Sequence, residues 1–153
     1  MSKEFKFLDT TGLSDDDLHL ELVGKYPGNP HLGHVPEYTF EMRNAVTKKK
    51  MGQIGLKIGP LPEYIGHLSY EVLEPFRGHR YAARACRMLA RFAMRHGVAE
   101  LAITCLPDNA ASKRTCELAG ARLLGTVKVP SVGVDDYHRG IDYKIKYVLS
   151  TDG

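Results

Sequence analysis

Two hydrophobic rhythms follow each other at the centre of the chain. Leu68, Tyr70 and Val72 alternate with Ser69 and Glu71, the period of a half-buried strand. Pro75 lacks an N–H, so the ladder must stop there. Helical spacing begins at about Tyr81. At about 100° per residue, Arg80, Arg84, Arg87, Arg91 and Arg95 fall on one narrow stripe. Tyr81, Ala85, Met88, Leu89 and Phe92 fill a broad apolar face, and Ala83, Ala90 and Met94 extend it to the far side. The pattern predicts a helix buried over most of its circumference, with the arginines as its wet edge.

The same reading gives the other elements. Residues 4–8 alternate as a first strand. Ser14 reads as a helix N-cap with Asp15, Asp16 and Asp17 in the first turn and a Leu13/Leu18 staple, opening a helix that YPGNP closes after Tyr26. Residues 27–36 form a long loop. Strands follow at 37–43 and 51–58, joined by a basic hairpin tip, then at 65–74 before the long helix, which Gly97 closes. Residues 100–105 form a short buried strand. Residues 109–119 form a helix capped by Asp108 or Asn109 and closed by Gly120. Strands at 122–129 and 143–149, separated by PSVGVDDYHRG, end the chain. The order is β-α-β-β-β-α-β-α-β-β, an α/β (α+β mixed sheet) class with one right-handed crossover.

Composition narrows the picture. A chain of 153 residues with 43% hydrophobic and 25% charged residues reads as one soluble domain over 1–153. The net charge of +3 does not by itself argue for nucleic acid. The absence of a long apolar run argues against a membrane partner and a signal peptide. Three cysteines without a CxxC pair fit reduced thiols and a cytoplasmic location. His31, His34, His67, His79, His96 and His138 complete no ligand set, so no metal is expected.

The chemistry concentrates where the strand gives way to the helix. Arg77 and Gly78 turn the chain, and free N–H groups meet the positive end of a helix dipole. That combination suits an anion, and a phosphate best.

The segment Arg77-Gly78-His79-Arg80-Tyr81-Ala82 resembles the Q/R-x-x-G-x-G/A turn of the GNAT superfamily, the acyl-CoA-dependent N-acetyltransferases, with Arg80 at the central glycine. Downstream, Asn109 and Ser112 followed by Glu117 and Gly120 resemble that family's N-x-x-S…E-x-x-G motif. The resemblance spans 65–120. It implies a GNAT-like fold with splayed central parallel strands, one early helix short of the usual pair. It implies acetyl-CoA as co-substrate, its pantetheine paired with the backbone of Val72 and Leu73. Its pyrophosphate would be held by Gly78, His79, Arg80, Tyr81 and Ala82 with the Arg77 side chain, and Asn109 and Ser112 would face the pantetheine arm. Arg84, Arg87, Arg91 and Arg95 should be exposed and dispensable for the cofactor, with Arg84 nearest a CoA phosphate.

The implied reaction is direct acetyl transfer in a ternary complex to a primary amine, either a small molecule or a protein amine. An N–H near Val72 would meet the oxyanion. Glu71 is the candidate base, and His67 and Ser69 share its face. Many family members carry a tyrosine on the later helix as general acid; that position here is Cys116, also a candidate nucleophile. A rival reading is a non-catalytic CoA-binding regulator, or an RNA-binding module using the arginine stripe. A homodimer is left open.

Overall fold

Leu18, Leu20 and Leu22 alternate with His19, Glu21 and Val23, and this period of two decides the start of the chain. The computed structural model describes residues 4–135 and 138–152; residues 136 and 137 of the last loop lie outside the described residues. Strand β1 (Ser14–Asp15) turns back into strand β2 (Leu18–Tyr26), pairing Asp15 with Leu18. The helix expected after Ser14 is therefore a β-hairpin. Asp16 makes the reversal at φ 55°, a left-handed conformation that a short polar side chain tolerates. A helix would have sent Leu20 to the side opposite Leu18 and Leu22, whereas the strand buries Leu18 and Leu20 together.

The strand expected at 4–8 does not form either. Phe5 stacks on His96, and Phe7 meets Tyr38 edge-on. The Leu8 N–H donates to the Tyr38 hydroxyl at 2.8 Å. This segment is held by side chains instead of a ladder.

From there the elements lie close to expectation: β3 (Glu37–Asn44), β4 (Lys50–Lys57), β5 (Leu68–Val72), α1 (Tyr81–Met94), β6 (Glu100–Cys105), α2 (Ala110–Ala119), β7 (Arg122–Lys128) and β8 (Tyr143–Ser150). The order is thus β-β-β-β-β-α-β-α-β-β. Strands β1 to β5 form one sheet in chain order, and a second sheet runs β6-β8-β7. Every ladder among the described residues is antiparallel. Between β5 and β6, where the central parallel pair was expected, the described residues form no ladder.

Helix α1 covers the first sheet. Its Ala85, Leu89 and Phe92 are buried in one core with Tyr38, Phe40, Ile54 and Leu56. Met94, assigned to the apolar side, is instead 48% exposed in the last turn. The arginine stripe is less free than its spacing suggests. Arg84 and Arg87 are half-buried. Arg87 reaches the Ser150 carbonyl at 3.5 Å, and Arg95 reaches that of Asp9 at 3.4 Å while lying over the Phe92 ring.

His67 joins the two sheets where β5 begins. The His67 N–H donates to the Ala102 carbonyl at 2.7 Å. The Ala102 N–H donates to His67 Nδ1 at 2.9 Å, which leaves Nε2 as the protonated nitrogen, 2.9 Å from the Gly59 carbonyl. Gly66 allows the approach, since a Cβ there would stand 2.9 Å from the Thr104 nitrogen.

This seam carries a pH dependence. Burial holds the His67 imidazole below its ordinary value of 6.5, and burial moves His96 the same way. The unfolded chain therefore takes up protons near pH 6.5 that the native chain refuses until lower pH. Stability is full above that value and falls as the pH drops through it. Urea midpoints should decrease on acidification. The His67→Gln variant should start lower at neutral pH and fall less steeply; parallel curves would remove His67 from the seam.

Candidate functional site

Strand β5 is the free edge of its sheet, and its register decides which backbone groups are free. The Leu73 N–H donates to the Met51 carbonyl at 2.8 Å, and the His67 carbonyl accepts from the Lys57 N–H at 2.8 Å. Odd-numbered residues of β5 therefore bond to β4. By antiparallel alternation, Tyr70 and Val72 turn their N–H and C=O groups the other way, into the gap before β6. Leu73 has no such freedom, because its carbonyl also accepts from the Phe76 N–H.

Beyond β5, Glu74–Phe76 forms a single 3₁₀ turn. Gly78 then takes φ 89°, and Arg80 takes φ 62°, ψ 22° as the residue before α1. Among the described residues no side chain caps this helix, and its first turn carries no acid. The leading N–H groups of α1 are left without intrahelical partners at the positive end of its dipole.

A cleft of about 720 Å³ opens there, running from Arg77, Gly78 and Arg80 past Val72 to Asn109, Ser112 and Thr115 of α2. The Arg80 guanidinium has no hydrogen-bond or ion-pair partner among the described residues. Arg77 Nε donates to the Val72 carbonyl at 3.0 Å, which fixes the turn against the end of β5.

The first turn of α1 is anchored from the side. The Tyr81 hydroxyl donates to Asp17 Oδ2 at 2.6 Å, and Arg84 reaches Asp15 at 3.0 Å and Asp17 at 2.9 Å. Tyr81, then Arg84, hold the Asp17 carboxyl below the usual carboxylate range. Arg84, expected nearest to a phosphate, is committed to these acids instead.

On α2, Asn109 Oδ1 accepts the Ser112 N–H at 3.0 Å and so caps the helix, leaving its NH₂ group for the cleft. Ser112 Oγ lies 2.9 Å from the Tyr70 hydroxyl, which is also 3.8 Å from Cys116 Sγ. Cys116 is fully buried, and burial pushes its thiol up to about 11. It is a protonated thiol behind the cleft wall, a poor nucleophile at neutral pH.

A second cleft, of about 420 Å³, lies over strands β3 to β5 and is lined by Glu37, Thr39, Gln53, Ser69 and Glu71 among others. The ladder aligns Glu41, Gln53 and Glu71 in one row. Glu41 is neutralised by Arg43 at 2.6 Å and Lys50 at 3.4 Å. Glu71 is exposed and has no ion-pair partner among the described residues. Tyr70 and Glu71 line both clefts, so this pair of residues is where they adjoin.

Of the residues picked out from the sequence, Glu71, Val72, Arg77, Gly78, Arg80, Tyr81, Ala82, Asn109 and Ser112 come together on the first cleft. Leu73, His79 and Cys116 are not among its lining residues. His67 has both ring nitrogens engaged at the seam. Among the described residues, no three His, Cys, Asp or Glu side chains group to hold a metal. Sequence reasoning missed Tyr70, Phe76, Arg114, Thr115 and Leu118. Thr115 and Leu118 follow Ala111 at i+4 and i+7, a signal that helical spacing offered.

The family model for the acetyltransferase (GNAT) domain matches residues 22–122. The chain belongs to this family. Among solved structures, the GNAT fold here resembles the microcin C7 self-immunity acetyltransferase MccE, in complex with acetyl-CoA and AMP. That match has 17% identity, covers 74% of this chain and 61% of that one, and has a TM-score of 0.58. It also resembles the ribosomal-protein-S5-alanine acetyltransferase of Vibrio fischeri, at 16% identity over 76% of this chain and 62% of that one, TM-score 0.59. An acetyltransferase of Agrobacterium tumefaciens str. C58 has 23% identity over 74% and 60%, TM-score 0.56. The chain thus spans less than two thirds of the length of these structures. A comparison with curated protein sequences gives no match.

Family membership explains the strain at Arg80, which occupies the motif's central glycine position with a left-handed backbone. Arg80→Gly should raise stability by about 1 kcal/mol, the usual cost of that conformation for a side chain. Thermal unfolding reads it out; an unchanged or lower midpoint would mean that Arg80 is held by contacts stronger than the strain.

Proposed function

We propose that this GNAT chain is an acetyl-CoA-dependent N-acetyltransferase that passes the acetyl group directly to a primary amine in a ternary complex. The observation that carries the reading is the uncapped N-terminus of α1 beside the unpaired edge of β5. An N-terminus that no carboxylate caps among the described residues, next to the Gly78 turn and an Arg80 with no side-chain partner among them, fits a pyrophosphate. A strand edge with Val72 turned outward fits an extended amide chain such as pantetheine, added in the manner of a strand. The gap between β5 and β6 takes the part of the family's splayed strands.

Acetyl-CoA supplies an activated thioester; the remaining work falls to this chain. Arg80 and the N–H groups from Tyr81 onward bind phosphate. Arg77 steadies the turn. The Val72 N–H faces the cleft where an acetyl oxygen would develop charge. Glu71, exposed at the meeting of the two clefts, accepts a proton from an amine arriving by the second cleft. The acceptor is a small-molecule or protein amine. The arginine stripe gives little support to an RNA-binding module, because Arg84 and Arg95 are turned onto the protein itself.

Calorimetric titration with acetyl-CoA should show binding that weakens as salt rises. Arg80→Ala should weaken it about tenfold, the equivalent of one charge-assisted contact. Native affinity in that variant would detach the α1 N-terminus from the site.

Thiol release from acetyl-CoA over a panel of amines tests the transfer. Glu71→Gln should lower turnover at neutral pH by about 10²-fold or more, recover part of it at high pH, and keep acetyl-CoA affinity. An unchanged pH profile excludes Glu71 as the base.

A further inference from the structure

The thiolate that leaves in this reaction needs a proton, and helix α2 offers no hydroxyl at the family's tyrosine position, which is Cys116. The structure brings one in from another element. Tyr70 belongs to β5, and its ring passes through the core side of the sheet to α2. Its hydroxyl ends 2.9 Å from Ser112 Oγ and 3.8 Å from Cys116 Sγ. It lines the first cleft together with Val72 and Ser112. We infer that Tyr70 is the proton donor to the departing sulfur, supplying from β5 the hydroxyl that α2 lacks at position 116.

This inference rests on the acetyltransferase reading and adds a residue to it. The hydrogen-bond roles permit the transfer. Either oxygen of the Tyr70–Ser112 pair can be the donor. When the Ser112 hydroxyl donates to Tyr70, the Tyr70 hydroxyl is free to point at a sulfur. The Tyr70 hydroxyl lines the same cleft as Val72 and Ser112, where the thioester sulfur would lie.

The Tyr70 hydroxyl meets Ser112 and Cys116 from α2, with Cys86 of α1 close by, and the clefts that Tyr70 lines also carry Glu71, Arg77, Arg80 and Arg114. Burial keeps the phenol protonated across the working range. The same burial raises the neighbouring thiol to about 11, so a thiolate formed in these surroundings is a stronger base than in water.

The step balances. The amine nitrogen forms a bond to the acetyl carbon and gives up a proton towards Glu71 or water. The carbon–sulfur bond breaks, and its electron pair stays on sulfur. Tyr70 gives that sulfur its proton, Ser112 replaces it on Tyr70, and water in the cleft replaces the proton on Ser112. The products are the N-acetyl amide and a neutral thiol.

Two measurements test the assignment, one of them independent of turnover. In the complex with CoA, the thiol of bound CoA is titrated by its thiolate ultraviolet absorbance. A Tyr70 hydroxyl aimed at the sulfur stabilises the thiolate, so Tyr70→Phe should raise the bound thiol's pKa by about one unit, while the ring and its packing remain. Equal values in native protein and variant overturn the proposal, as does failure of the native protein to bind CoA, which would also end the acetyltransferase reading. If CoA binds and shows the shift but no amine is acetylated, the Tyr70 contact stands and the transferase reading falls.

With an acceptor amine in hand, leaving-group dependence separates donation from mere positioning. Tyr70→Phe should lose about 10²-fold in kcat with acetyl-CoA and far less with an aryl thioester, whose thiolate needs no proton to depart. The native protein should itself be nearly insensitive to the leaving thiol's pKa. An equal loss with both thioesters, or a steep dependence in the native protein, would assign Tyr70 a packing role only.

Discussion

The arrangement depends on how one end of two sheets is closed while the other end stays open. His67 closes it. Its backbone N–H and both ring nitrogens are spent within a few residues, on Ala102 and Gly59. Past that point β5 continues bonded to β4 alone, and nothing from β6 reaches Tyr70 or Val72 in a ladder. A strand edge left open is ordinarily a liability for aggregation. Here it borders a cleft that α1 and α2 wall in, and the proposed function makes the open edge the binding surface for an extended ligand.

A second constraint keeps the cleft's positive end available. Helix N-termini are usually satisfied by a Ser, Thr, Asp or Asn at the cap. In α1 that place is taken by Arg80 in a left-handed conformation, and the acids that could have capped the helix stand to its side. Asp15 and Asp17 engage the side chains of Tyr81 and Arg84, and leave the leading backbone N–H groups alone. The helix is anchored without its dipole being neutralised. The strain at Arg80 and the missing cap are both unfavourable for the protein by itself, and under the proposed function a phosphate would offset the missing cap.

Much of this was legible in the sequence, because the period of two and the helical spacing from Leu68 to Ser150 agree with the turn residues between them. Both helices, the Asn109 cap and the glycine turn needed only local information. The first 26 residues did not yield, for a physical reason. Ser14 followed by three aspartates is a good helix start by local rules, and Leu13 and Leu18 are well placed as a staple. The partners that decide otherwise, Arg84 and Tyr81, lie more than sixty residues away. The same distance hides the true state of the arginine stripe. Tyr70 was legible as an apolar member of its strand, but where its hydroxyl ends depends on the packing of α2, which periodicity does not report.

The central claim is that an extended acyl carrier binds along the free edge of β5 with its phosphates at the start of α1. Backbone amide hydrogen exchange, with and without CoA, observes those N–H groups themselves. Bound CoA should slow exchange at Val72 and through Gly78, Tyr81 and Ala82, with the already bonded Leu73 amide little changed. Protection confined to other segments, with Val72 and the first turn of α1 exchanging as in the free protein, would contradict it.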